Sequence, residues 1–153
     1  AFSFGYMHCS SRHQPLIDKH APSTSWTDVQ PVGPSPVIIS KEMLKRVTPA
    51  WWNISVTLKL DPVADKRFGW VLEMWGYSIA SASLGIKHKV TPAFQVEGGA
   101  GIGVPNDRYI FHYTYGIEYR MDGRPQGTGT IGEWSLDKRH YGGGDPPRDF
   151  QPP

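Results

Sequence analysis

Glu73 is the acidic residue whose setting in the sequence most suggests chemistry. It is the only Asp, Glu, Lys or Arg between Gly69 and Ile86, and its neighbours three and four positions away are small or aromatic. An isolated carboxylate on such a helical face costs free energy unless it is hydrogen-bonded, and such acids concentrate at active sites. An acid bonded to a backbone turn or to a tyrosine explains the pattern equally well, so both interpretations stay open.

His112 falls at the end of a strand-like run, just before a Gly-rich polar stretch. Strand ends hold side chains rigidly while the following loops admit substrate, so a histidine there can act as a ligand. On these residues alone, a packing histidine with one satisfied hydrogen bond is the simpler interpretation. Lys138 and Arg139 follow in a charged run, where cations and backbone N–H groups can hold a diphosphate, although most such runs are only solvated.

The aromatic residues offer a second kind of site. Trp51, Trp52 and Trp75 could line a groove for an extended, proline-rich ligand in the polyproline II conformation. Most Trp side chains simply fill cores, so packing is the alternative for each of them.

Composition limits the classes of function. The chain has 153 residues, a formal net charge of +2 and no clustering of Lys and Arg, which does not favour a nucleic-acid-binding protein. Its single cysteine, Cys9, excludes an internal disulfide and a cysteine-type zinc cluster. No apolar run reaches the length of a membrane span. The abrupt start, without Met or a signal pattern, is expected of a fragment.

The helices that would position these residues are predicted from their capping signals. Ser40 caps a short helix over 41–47, and Thr48 caps a second one that begins at Pro49 and ends before Asp61. The longest helix is predicted over 66–84, with Asp65 as its cap and Gly85 as its closing residue.

The strands and loops complete the mixed pattern. Strands are predicted over 1–7, 35–40, 86–90, 94–96 and 109–113. The segment 9–36 is expected to be an ordered loop with little regular structure, and residues 142–153 an extended tail. His8, His13 and His20 match no compact metal site and are predicted to lie on the surface. Capping and solvation are expected to explain Asp61, and His88 is placed on an exposed strand.

Three motifs carry a resemblance to a known family. They are FGWVLEMWGY, HYTYG and IGEWSLDKR, and they occur in the order in which plant and green-algal hydroxyproline O-arabinosyltransferases have them. The peptidyl serine α-galactosyltransferases are the second-closest match. The resemblance covers nearly the whole chain, from AFSFGYM to the tail.

The resemblance implies an α/β fold, the C-terminal half of a GT-A-type glycosyltransferase domain, with a mixed sheet, one long helix and long loops. Residues 1–153 would be a single domain or half-domain. The implied activity transfers a sugar, which the family resemblance gives as L-arabinofuranose, from a nucleotide sugar to hydroxyproline in secreted or cell-wall glycoproteins. A divalent metal (Mn or Mg) and the secretory pathway, in the Golgi, are expected with it.

The same resemblance assigns roles to single residues. Glu73 falls where such folds place a catalytic carboxylate beside the acceptor, and His112 where they place a histidine for metal or diphosphate. Lys138 and Arg139 fall near the donor phosphates. Trp51, Trp52 and Trp75 remain the predicted acceptor groove.

The sequence also departs from the family pattern. It contains no Asp-x-Asp motif, and residues 91–108 replace the usual Pro-Pro-Trp segment. The isolated chain is therefore expected to bind a nucleotide sugar poorly. A non-catalytic module that binds Pro- or Hyp-rich polypeptide is the alternative function.

Overall fold

The computed structural model describes residues 1–97, 107–112, 117–122, 124 and 134–136. The chain divides into two compact units, Ala1–Phe94 and Gln95–Pro153. The first unit is built mainly from helices, and the described part of the second contains short strands. This mixture is compatible with the predicted α/β class.

The helices of the first unit pack around one apolar core. In chain order they are α1 (Gln14–His20), α2 (Lys41–Leu60), α3 (Pro62–Phe68) and α4 (Leu72–Ser83). Single 3-10 turns occur at Gly5–Met7, Ser11–His13, Trp26–Asp28, Gly69–Val71 and Pro92–Phe94. The largest fully buried apolar side chains of the core are Tyr77, Met7, Ile17, Leu58, Ile79, Val32 and Val47.

Helix α2 is one continuous helix, so the prediction of two helices was wrong at Pro49. The Ser40 cap is confirmed, because its side chain accepts a hydrogen bond from the Met43 N–H at 3.2 Å. Pro49 lies inside the helix and lacks the N–H that would bond to the Lys45 carbonyl. Both residues are exposed, so water can bond to that carbonyl. Thr48 does not cap a new helix, since its hydroxyl donates to the Leu44 carbonyl at 2.7 Å.

The predicted long helix over 66–84 is divided in two. Gly69 has a φ of +56°, which turns the chain between α3 and α4 and is strained for residues with a Cβ. Asp61, and not Asp65, caps α3, because its carboxylate accepts a hydrogen bond from the Val63 N–H at 3.0 Å. Pro62 at the first helical position favours that start.

Gly85 closes α4 as predicted. It has a φ of +66°, and the Ile86 N–H donates to the Ser81 carbonyl at 2.8 Å. The Gly85 N–H donates to the Ala82 carbonyl at 2.9 Å. These two bonds form a Schellman motif, which satisfies carbonyl groups at the helix end.

Several other predictions were wrong in the first unit. Residues 1–7 form a 3-10 turn and a single antiparallel bridge between Ser3 and Val32, and no strand. No strand forms over 35–40, where Ile38 is 84% exposed, or over 86–90, where Ala1 bonds only to the backbone of Lys89 and of the neighbouring Thr91. The segment 9–36 contains helix α1, with Pro15 in its first turn, and is thus more regular than predicted.

The second unit contains the strands near His112. Strand β1 (Gln95–Glu97) pairs in parallel with β2 (Ile110–His112), with Gln95 opposite Ile110. Strands β3 (Ile117–Tyr119) and β4 (Trp134–Leu136) pair antiparallel. Strand predictions at 94–96 and 109–113 are confirmed within about a residue. The predicted tail, 142–153, lies outside the described residues.

None of the helices in the described residues is long and apolar enough to cross a membrane.

Candidate functional site

An open, largely apolar groove marks the surface of the first unit. One wall comes from helix α2 and the other from the turn at Gly69 and the start of α4, and its volume is about 480 Å³. Its lining residues are Trp52, Ser55, Val56, Lys59, Leu60, Gly69, Trp70, Leu72 and Glu73. Trp52 is 72% exposed and Trp70 is 80% exposed, which is unusual for two large indoles on one surface.

Local sequence explains how these side chains come together. Trp52, Val56 and Lys59 are spaced by four and three residues, so they lie along one face of α2. On the opposite wall, the positive φ of Gly69 ends α3 and starts the 3-10 turn that carries Trp70. The groove therefore depends on the break at Gly69, which lies inside the segment 66–84 that was predicted to be one helix.

Glu73 lies in the first turn of α4 and is exposed at the wall of this groove. Its helical neighbours Gly76, Tyr77 and Ala80 are buried, as their small and aromatic pattern predicts, but Glu73 itself is exposed. Within the described residues, no hydrogen bond or ion pair engages its carboxylate. Its catalytic role stays a prediction.

The other charge in the groove is compensated. The Lys59 ammonium lies 2.7 Å from the Asp65 carboxylate, and both side chains are well exposed. Such an exposed pair adds little to stability, but it leaves the groove with one carboxylate, Glu73, that has no described counter-charge.

The predicted tryptophan trio is divided by the structure. Trp52 lines the groove. Trp51 is half-buried beside it, with its indole N–H donating to the Glu73 backbone carbonyl at 2.9 Å. Trp75 is 5% exposed, and its ring centroid lies 4.9 Å from Phe68 and 5.1 Å from His13. Packing accounts for Trp75, and the groove instead uses Trp70, which the sequence analysis missed.

His112 is the last residue of strand β2 and is half-buried. Its Nδ1 lies 3.4 Å from the side-chain amide nitrogen of Gln95, which is buried on the neighbouring strand. In the part of the chain that the structure describes, no group of three or more His, Cys, Asp or Glu side chains could hold a metal ion. The metal and diphosphate roles of His112 stay predictions, and Lys138 and Arg139 lie outside the described residues.

Two histidines of the early segment are buried, so their predicted surface positions were wrong. His13 is 8% exposed and stacks against both Phe68 and Trp75, whose rings also contact each other. His20 lies with its Nε2 2.9 Å from the Asp61 carboxylate, and both side chains are buried. Sequence spacing gave no sign of these contacts, because His20 and Asp61 are 41 residues apart.

Asp61 joins α1 to the junction of α2 and α3. The Lys19 ammonium lies 2.7 Å from its carboxylate, and the bonds from Lys19 and then His20 hold the pKa of Asp61 well below its usual range. Capping explains Asp61 as predicted, but the residue is buried and not solvated. These contacts make it a structural residue.

The remaining buried titratable groups are also structural. His88, predicted on an exposed strand, is half-buried. Its ring Nε2 lies 2.8 Å from the Tyr77 hydroxyl, and its backbone N–H donates to the side-chain oxygen of Gln30 at 2.7 Å. Burial lowers the pKa of His88 and raises the pKa of Cys9 to about 11. A thiol with that pKa is protonated at neutral pH, so Cys9 is not a nucleophile.

Comparison with known families matches both parts of the chain. A model described as the hydroxyproline O-arabinosyltransferase family N-terminal domain matches residues 1–90. The C-terminal domain model of the same family matches residues 109–153. No solved structure matches the chain significantly.

Individual relatives agree with these models. Hydroxyproline O-arabinosyltransferase 3 of Arabidopsis thaliana is 43% identical over 155 aligned positions, which cover 100% of this chain and 42% of the relative. Hydroxyproline O-arabinosyltransferase RDN1 of Medicago truncatula is 47% identical over 83% of this chain and 35% of its own length. Peptidyl serine alpha-galactosyltransferase of Arabidopsis thaliana is 30% identical over 48% of this chain and 8% of its length. The chain thus spans less than half the length of the curated relatives that it matches.

Proposed function

This chain belongs to the hydroxyproline O-arabinosyltransferase family, and on that premise we propose that it acts in glycosyl transfer to hydroxyproline. The sugar is L-arabinofuranose and the acceptors are secreted or cell-wall glycoproteins. The observation that carries the proposal is the match of both family models, in order, together with relatives of that name that align along the whole chain.

The transfer step is a substitution at the anomeric carbon of a nucleotide sugar. The bond between that carbon and the diphosphate oxygen breaks, and the nucleoside diphosphate leaves with the bonding electrons. A bond to the hydroxyl oxygen of hydroxyproline forms, and the hydroxyl proton passes to a base or to water. The protein's part is to hold the acceptor hydroxyl in line with the breaking bond, which is a large share of the catalysis in such reactions.

The GT-A-type fold, the divalent metal and the Golgi location belong to the same proposal, and the family resemblance supports them. A metal would neutralise the leaving diphosphate. The described residues do not include a group of three or more His, Cys, Asp or Glu side chains that could hold a metal ion.

The proposal is tested in a chimera. The chain replaces the matching part of Hydroxyproline O-arabinosyltransferase 3, and the product is incubated with nucleotide-activated L-arabinofuranose and a hydroxyproline-rich peptide. We expect a mass gain of one pentose on the peptide, and none on a matched peptide with proline in place of hydroxyproline. A chimera that melts cooperatively and yet transfers no pentose would overturn the proposal.

A non-catalytic module that binds Pro- or Hyp-rich polypeptide is the second candidate. The exposed Trp52 and Trp70 favour it, because aromatic grooves bind polyproline II segments without any catalytic group. A folded chimera that binds the hydroxyproline peptide without modifying it would support this function instead.

A further inference from the structure

We infer that the groove lined by Trp52 and Trp70 holds an extended proline- or hydroxyproline-rich segment, and that Glu73 selects segments with a basic side chain beside those residues. The acceptor class rests on the proposed function. The charge preference rests on the first unit alone. Glu73 is thus a residue of this chain that determines its specificity for the acceptor.

The aromatic surface fits such a segment in shape and chemistry. Trp52 and Trp70 are 72% and 80% exposed, and Tyr6 extends the surface, with its ring centroid 5.6 Å from Trp70. The flat faces of indole rings pack well against pyrrolidine rings, and a polyproline II segment loses little conformational entropy on binding. Apolar side chains of Val56 and Leu60 complete the contact.

The polar groups of the groove leave one unmatched charge. Lys59 is paired with Asp65 at 2.7 Å. The Ser55 hydroxyl is buried, without a hydrogen-bond partner in the structure as described. The Glu73 carboxylate, by contrast, is exposed beside the indoles and meets no cation among the described side chains. A basic side chain of the ligand would supply that cation and add charge complementarity to the apolar contact.

This role differs measurably from catalysis by Glu73. A carboxylate that acts on the acceptor hydroxyl is needed for every acceptor, whatever its flanking residues. A carboxylate that pairs with a flanking cation matters only for acceptors that carry one, and its effect weakens as salt is added. Binding measurements with matched peptides therefore separate the two.

The test uses the 153-residue chain and three hydroxyproline-rich peptides that differ at one flanking position, Lys, Gln or Glu. Isothermal titration calorimetry gives each Kd. We expect the Lys peptide to bind up to about fivefold tighter than the Gln peptide, the usual limit for an exposed ion pair, and the Glu peptide to bind weakest. Glu73→Gln should make the three affinities equal, and Glu73→Lys should reverse their order. Glu42→Gln, which removes an exposed acid outside the groove, should keep the wild-type order.

Separate variants test the contact between the exposed indoles and the peptide. Trp52→Ala and Trp70→Ala should each weaken the binding of all three peptides about tenfold or more. Aromatic side chains that the bound ligand covers contribute most of the binding energy in such contacts. Ile38→Ala removes an equally exposed apolar side chain (84%) outside the groove and should change nothing. No peptide binding, or binding that both Trp variants retain, would overturn the groove assignment.

Outcomes for the inference and for the proposed function are distinct. Equal binding of the three peptides by the wild-type chain would contradict the charge preference assigned to Glu73, even if the chimera transfers pentose. A Lys preference that Glu73→Gln abolishes supports it, even if the chimera transfers nothing. In an active chimera, Glu73→Gln should raise the KM of the Lys peptide relative to that of the Gln peptide, whereas a catalytic role predicts an equal fall in kcat for both.

Discussion

Gly76 in helix α4 lies so close to helix α2 that a Cβ atom at position 76 would clash with Ser55 Oγ and stand 3.2 Å from the Ser55 Cα. A side chain larger than that of glycine at position 76 would therefore require Ser55 or the two helices to shift. Trp52 lies three residues before Ser55 in α2, and Glu73 lies three residues before Gly76 in α4, so the contact joins the two helices that line the groove. The absence of a side chain at residue 76 therefore bears on the packing of the helices that carry the candidate site.

Gly76→Ala should destabilise the protein by about 1–3 kcal/mol, because the new methyl group overpacks a contact that includes backbone atoms. Urea denaturation measures the change. Ser55→Ala in the same chain removes the nearest atom and should restore part of the loss. Gly5→Ala is the control, since a Cβ there would meet nothing within 4 Å. Equal stability of the wild type and Gly76→Ala would show that the helices are not so closely packed.

Local sequence signals predict the backbone correctly where a single residue decides its conformation. Ser40 caps α2 through its own side chain, and Gly85 closes α4 with a positive φ. The same rules failed at Pro49, because the rest of α2 is held by tertiary packing and tolerates one missing hydrogen bond. At Gly69 the sequence looked like a helix interior, and only the positive φ in the folded chain shows the turn.

Asp61 should make the protein sensitive to acid. Lys19, and then His20, lower the pKa of Asp61 below the value of about 3.9 that an unfolded chain has. The unfolded state then takes up the proton first, so the stabilisation is complete above about pH 4 and is lost as the pH falls further. Denaturation curves measured from pH 5 downwards should show the loss, and Asp61→Asn should flatten it. Asp28→Asn, at an exposed position, is the control, and it should leave the curve unchanged.

His13 should respond in a higher pH range. Burial, and then the charge of Arg67, lowers the pKa of His13 below its ordinary value of about 6.5. Because the unfolded state binds the proton more tightly, this histidine contributes full stability above about pH 6.5 and loses it as the pH falls. Proton NMR of the ring gives the pKa directly. A pKa above 6.5 would contradict the buried stacking position.

The candidate site was only partly predictable, because burial cannot be read from residue type. Trp75 and Trp70 lie five residues apart and are both indoles, yet one is 5% and the other 80% exposed. The turn at Gly69 decides which of them faces the core. Glu73 was placed correctly in a helix near aromatic residues, but the exposure of its carboxylate depends on the same turn.

Residues 1–153 alone should transfer little or no pentose. The chain spans 42% of the length of Hydroxyproline O-arabinosyltransferase 3. Mass spectrometry of a hydroxyproline peptide, incubated with the chain and activated arabinofuranose, measures the transfer, with the chimera as positive control. Turnover by the chain comparable to that of the chimera would contradict this expectation.

Truncation of Trp75 should lower the free energy of unfolding strongly, whereas truncation of Trp52 should hardly change it. Trp75→Ala removes a ring that is 5% exposed and packed on Phe68 and His13, so it should cost about 3–5 kcal/mol of unfolding free energy. Trp52→Ala removes a ring that is 72% exposed and should change stability by less than about 0.5 kcal/mol. Urea denaturation of the two variants, side by side, measures both. If Trp75→Ala were as stable as the wild type, the ring would not belong to the core, and the predicted acceptor role of Trp75 would regain its basis.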